Sequence, residues 1–258
     1  MIDAIRSEWI KFRSVRSTVI LVLTAGALVI LVAVLASNSA NHDAAKAACG
    51  SIGSFAPQGP NSPCQTHLGD ISVGVSIAAF LFGVLGVQII GQEYRFNTIR
   101  TTFTAVPRRG RVLAAKLVVV TAATALVSVV MLAVTWAIGT VMVHHFSVDS
   151  LDQRVILGTV LFGVGWTALG MGVGSILRQP IAGMVALLLD GFVVEQLLAG
   201  LVHASGPWLP FLNGLQMTRR NHPEELHTRS VLAGGIYFFV VAALLWGVGA
   251  YLASRRDA

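Results

Sequence analysis

Charge is scarce in this chain. Asp, Glu, Lys and Arg make up only 12% of its 258 residues, and apolar residues make up 55%. A soluble domain carries about a quarter charged residues, so the deficit excludes an ordinary soluble globule and points to lipid as the solvent. Several catalytic signatures are also missing. Without a G-x-x-x-x-G-K-[ST] loop the chain cannot cradle ATP phosphates in that manner. The lack of G-x-S-x-G weakens a serine-hydrolase reading. Without H-E-x-x-H or tight Cys/His spacing, the expectation is no metal site. With no Gly/Ser linker or low-complexity tract to set off a soluble part, residues 1–258 read as one membrane domain. No small-residue cleavage site adjoins the first apolar run, which is therefore expected to stay as a signal-anchor helix.

What is present is six long apolar stretches, at about 18–37, 71–90, 115–141, 155–177, 181–202 and 231–253. Each is long enough to cross a bilayer as a helix. The expected fold is an all-α membrane protein with six transmembrane helices. The third run, Val112–Val143, exceeds one bilayer thickness and is expected to tilt or project near Lys116. The fourth carries a run of glycines, including Gly170-x-x-x-Gly174, whose spacing suits close helix packing in lipid. Ahead of the first span, Ile2, Ile5, Trp9 and Phe12 recur at helical spacing. They predict an interfacial helix, with a frayed basic leader as the alternative.

Basic residues report orientation in a membrane protein. Gly91–Lys116 is the longest basic interruption, holding Arg95, Arg100, Arg108, Arg109, Arg111 and Lys116. Together with Arg6, Lys11, Arg13, Arg16, Arg178, Arg255 and Arg256 it places thirteen Lys and Arg on one side. Lys46, Arg154, Arg219, Arg220 and Arg229 leave five on the other. The positive-inside rule puts both termini and Gly91–Lys116 in the cytoplasm, and it assigns the net charge of +6 to topology rather than to nucleic acid.

This topology sends Cys49 and Cys64 to the oxidising side. A disulfide closing about 15 residues is expected there, worth about 3 kcal/mol in the chain-entropy model, with two free thiols as the alternative. All seven histidines (His42, His67, His144, His145, His203, His222 and His227) fall in outer loops and are expected to be polar loop residues. Residues 207–217, PWLPFLNGLQM, are apolar but too short to span, and Pro207, Pro210 and Gly214 break them. They fit a re-entrant or interfacial segment covered by protein.

Asp190 and Glu195 are the acidic residues of the fifth span. An intramembrane carboxylate should face protein or a cavity. A proton or ion relay, a substrate contact and a structural hydrogen bond compete; a structural or gating role is favoured. Five residues apart, they sit about 140° apart on a regular helix and would not form one paired site. An ion-coupled carrier would use these two residues. Glu224-Glu225-Leu226-His227-Thr228-Arg229 resembles one motif of CAAX-type intramembrane proteases. Its place in an outer loop, and the lack of histidine in any span, argue against that chemistry.

The order Gly91-Gln92-Glu93-Tyr94-Arg95, Asn97-Thr98, Pro107-Arg108-Arg109 and Lys116 resembles the signature of type-2 ABC transporter permeases, the ABC-2 type exporters. Asn97-Thr98 stands where that family has Gly-Thr. Ser7-Glu8-Trp9-Ile10-Lys11 is similar to the family's N-terminal helix, Pro207–Leu215 to its re-entrant outer segment, and Glu195-Gln196-Leu197-Leu198 to a fifth-span acidic motif of actinobacterial-type members. The resemblance implies a membrane subunit of an ATP-driven exporter in a bacterial cytoplasmic membrane. It implies two copies of a separate ATP-binding subunit that hold ATP and Mg, and a second permease subunit. No cofactor is expected in this chain. Residues 91–111 would be a coupling helix that docks on the ATPase through Glu93, Tyr94, Arg95, Phe96, Thr98, Pro107 and Arg108. Aromatics among the basic residues agree with a protein partner, whereas arginines alone would serve to hold anionic headgroups.

Overall fold

The structure, a computed structural model, describes residues 6–10, 12, 15–46, 66–96, 109–144, 146–219 and 229–256. Cys49, Cys64, Thr98, Pro107, Arg108, Glu224 and Glu225 lie outside the described residues.

Among the described residues, six helical segments are long and apolar enough to cross a membrane: Arg16–His42, Val73–Arg95, Gly110–Met142, Ser150–Leu177, Pro180–Leu201 and Val231–Ala253. They belong to helices α1 (Arg16–Lys46), α3 (Val73–Arg95), α4 (Arg109–Met142), α5 (Ser150–Leu177), the pair α6 (Pro180–Leu189) and α7 (Glu195–Leu201), and α9 (Val231–Arg256). Two short helices lie between spans, α2 (Leu68–Ile71) and α8 (Pro210–Leu215). Several hydroxyl groups inside the spans are satisfied by their own helix. Thr121, Thr124, Thr135 and Thr167 each donate to the carbonyl four residues back, which satisfies them where water is absent.

Helices α3 and α5 form the centre. Their most apolar stretches are 72% and 67% buried within the chain, against 17–39% for the other four spans. The peripheral helices therefore leave most of their surface to the bilayer or to other subunits. Glycine permits the central crossing. A Cβ on Gly170 would fall on the carbonyl oxygen of Gly83, so the two backbones meet with no side chain between them. Above the crossing an aromatic cluster fills the core. Trp166 and Phe162 of α5 surround Phe211 of α8, with ring centroids 4.9 and 5.7 Å away, and Phe80 of α3 lies 4.9 Å from Phe211.

Three features depart from the sequence reading. Helix α1 runs to Lys46 instead of ending near Ser37. Asn41 explains part of the extension: its Nδ2 donates to the Met142 carbonyl at 2.7 Å, and its Oδ1 accepts the His144 N–H at 3.3 Å. One side chain thus satisfies a terminal carbonyl of α4 and ties the two helix ends together. Next, the fifth span is not a regular helix, because Asp190–Val194 forms a π turn between α6 and α7. The wider i→i−5 bond, from the Glu195 N–H to the Asp190 carbonyl, replaces the regular rotation on which a separation of roughly 140° rests. Finally, Thr66–His67 (β1) and Phe146–Ser147 (β2) pair as parallel two-residue strands, too short to be read from periodicity.

Candidate functional site

Polar chemistry gathers where the second span ends and the third begins. Lys116, one helical turn and more into α4, is 2% exposed. Its Nζ donates to Glu8 Oε2 at 2.5 Å and to Glu93 Oε1 at 2.8 Å. Glu8 is buried on the helical stretch 6–10, and Glu93 stands in the last turn of α3. A buried ammonium needs paired carboxylates to offset its desolvation, and two are supplied here from different elements. A second link runs alongside: Gln92 Nε2 donates to Ser17 Oγ at 3.2 Å, joining α3 to the start of α1.

The turn from α5 to α6 packs on the same end. Arg178 caps α5 in the left-handed conformation, φ 56°, and Pro180 opens α6 at its first turn, where a missing N–H costs nothing. The Arg178 guanidinium sits 5.1 Å from the centre of the Tyr94 ring. A Cβ on Gly91 would lie 2.9 Å from Pro180 Cα, so glycine is required for α3 to pass this turn.

These contacts divide the residues expected to meet an ATPase. Glu93 and Tyr94 turn inward, the first to Lys116, the second to Arg178 and to the cluster containing Leu113 and Trp246. Arg95 and Phe96 point outward, and Phe96 is 67% exposed. Helical spacing had suggested an apolar stripe on the N-terminal segment. Of that stripe, within the described part, Trp9 is exposed and Phe12 is half-buried against the core, while the fully buried residue of the segment is Glu8. The polar bond to Lys116 decides that orientation, and a sequence pattern cannot anticipate a partner 108 residues away.

At the other end of the bundle, the fifth-span acids separate. Asp190 is half-buried, while Glu195 is 2% exposed. Glu195 accepts the backbone N–H groups of Phe211 at 2.9 Å and Leu212 at 2.8 Å. Those are the second and third residues of α8, so the carboxylate fills two of the orphan donors of a helix N-terminus. Asn213, fully buried, donates to the carbonyls of Gly206 and Leu209 and accepts the Arg229 N–H. Arg229 in turn donates to Pro207 O at 2.9 Å and lies over the Tyr237 ring. Residues 203–218 are thereby held by the fifth and sixth spans together.

The fold is that of a multi-pass membrane protein with buried ionic chemistry at one end and a buried, hydrogen-bonded connector at the other. Residues 4–199 match the ABC-2 family transporter proteins. The chain belongs to this family and is a membrane subunit of the ABC transporter class, whose members work with an ATP-binding subunit. Among curated proteins none matches it.

Proposed function

We propose that the chain is the permease of an ATP-driven exporter, moving an amphipathic or hydrophobic substrate (a drug, a peptide antibiotic or a lipid-like molecule) across a bacterial cytoplasmic membrane. Two copies of a separate ATPase subunit bind ATP and Mg, and a second permease subunit completes the pathway. Both termini and residues 91–116 face the cytoplasm. Residues 91–111 couple the permease to the ATPase, with Arg95 and Phe96 on the docking surface beside Thr98, Pro107 and Arg108. The N-terminal segment, residues 2–16, lies in the interface, and residues 207–217 re-enter the membrane from outside. Asp190 and Glu195 act in structure or gating.

The observation that carries this reading is the Lys116 bridge to Glu8 and Glu93, in which Glu93 stands two and three residues before exposed Arg95 and Phe96. A push on the segment between α3 and α4 meets a joint that holds the N-terminal segment, the second span and the third span as one body. The two-residue split also refines the expected interface: Tyr94 serves packing, while Phe96 serves the partner. The test is copurification of the permease with its ATPase from membranes. The pair Arg95→Ala and Phe96→Ser should release the ATPase while the permease stays folded. Retention of the ATPase at the wild-type level would sink docking at this end.

A further inference from the structure

We propose that His67, Asp149 and Asp152 form a binding site for a divalent transition-metal ion of the zinc or manganese class. The site lies at the far end of α3 from Arg95, where the ion would clasp the segment leading into the second span to the segment leading into the fourth.

The strand pair sets Thr66 opposite Phe146 and His67 opposite Ser147, which brings the imidazole beside the start of α5. Backbone donors fix both carboxylates there. Asp149 is the N-cap of α5, and its Oδ1 accepts the Asp152 N–H at 3.0 Å. Asp152 Oδ2 accepts the Asp149 N–H, and its Oδ1 accepts the Gly69 N–H, both at 3.0 Å. Against this rigid pair, His67 Nδ1 stands 3.8 Å from Asp149 Oδ2 and 3.6 Å from Asp152 Oδ2. Both separations are too long for an N–H···O bond. Both approach the roughly 3.4 Å that separates two tetrahedral ligand atoms, each about 2.1 Å from a shared ion. One ligand atom from each of the three residues lies within 4.8 Å of the others.

Burial makes the arrangement pointed. His67 is 6% exposed and Asp152 is 0% exposed. The atom turned to the carboxylates is Nδ1; among the described residues Nε2 has no hydrogen-bond partner, so the outer N–H that usually orients a ligating imidazole would have to be met by water. Ser147 Oγ hydrogen-bonds that nitrogen at 3.1 Å, a contact that a bound ion would displace. One imidazole nitrogen with two carboxylates suits zinc or manganese. A calcium site would be all oxygen, and a copper(I) site would use sulfur. Two carboxylates also balance the charge of a dication. Two residues of strand pairing contribute little by themselves, and an ion would add to the Gly69–Asp152 bond that already joins the two segments.

The test uses the full chain in phosphatidylcholine nanodiscs, stripped with chelator and dialysed against micromolar Zn2+. Bound metal is counted by mass spectrometry, and Co2+ absorption reports the ligand geometry. The expected result is one Zn2+ per chain, with affinity at least about tenfold weaker in His67→Gln and in Asp149→Asn. Asn caps a helix about as well as Asp, so Asp149→Asn keeps the start of α5 while removing a ligand charge. Substituting His222 and His227 together by Gln should leave binding unchanged, and Zn2+ should raise the thermal midpoint of wild type but not of Asp149→Asn. If the folded wild type retains no ion, or if both ligand variants bind as it does, the inference is overturned.

Discussion

The carboxylate of Glu195 accepts the backbone N–H of Phe211 at 2.9 Å, so the fifth span caps a helix that begins beyond its own end. A second bond to Leu212 makes the cap bidentate. The π turn at Asp190–Val194 directly precedes this glutamate, whose own N–H makes the i→i−5 bond to the Asp190 carbonyl. An acidic residue in the membrane is costly, and here it is matched to two backbone donors that have no other partner of the helix type.

Glu195→Leu should leave those two donors buried and unsatisfied. The expected loss is about 2–4 kcal/mol, against about 1 kcal/mol for Glu195→Gln, which keeps one acceptor oxygen. Unfolding by denaturant in mixed micelles measures the difference. Equal stability of Leu and wild type would remove the cap from the account.

Lys116→Met should destabilise the chain by about 3–5 kcal/mol, since Glu8 and Glu93 would lose the charge they share. Adding Glu8→Gln and Glu93→Gln to the same chain should recover a good part of that loss, because no buried charge then lacks its counter-ion. Thermal midpoints of the four combinations form the cycle. A single variant as stable as wild type would mean that the bridge contributes nothing to folding.

Gly170→Ala should lower the yield of folded protein and cost about 1–3 kcal/mol, because its Cβ would meet the Gly83 carbonyl. Gly200→Ala is the control. Nothing lies within 4 Å of a Cβ there, and the gain in helix propensity is about 0.5–1 kcal/mol. Comparing the two by size-exclusion profile and unfolding separates close approach from glycine content in general.

Asn213→Leu should loosen residues 203–218 more than it unfolds the bundle. It removes donors to Gly206 and Leu209 and the acceptor for Arg229, each bond being worth about 0.5–1.5 kcal/mol. Hydrogen exchange of the 203–218 backbone should rise while exchange in α3 and α5 stays slow. Unchanged protection in that segment would contradict the assignment.

Much of this protein is legible in its sequence, and for a physical reason. A bilayer forces each crossing to be a long apolar helix that satisfies its own backbone, so composition alone marks the six spans and the breaks between them. The short motif residues from Glu93 to Lys116 carry the family for the same kind of reason, since they are local in sequence. Partners distant in sequence are a different matter. Nothing in the order of residues tells that Lys116 would sit between Glu8 and Glu93, that Glu195 would cap the helix at Pro210, or that His67 would meet Asp149 and Asp152. The sequence could rank an intramembrane acid as structural, but the identity of its partner depends on where another segment's free N–H groups lie. It could also offer Glu93 and Tyr94 equally with Arg95 and Phe96 as contacts for a partner. Only the packed helices decide which of the four face inward, because burial is a property of the assembled surface and not of the side chain that ends up within it.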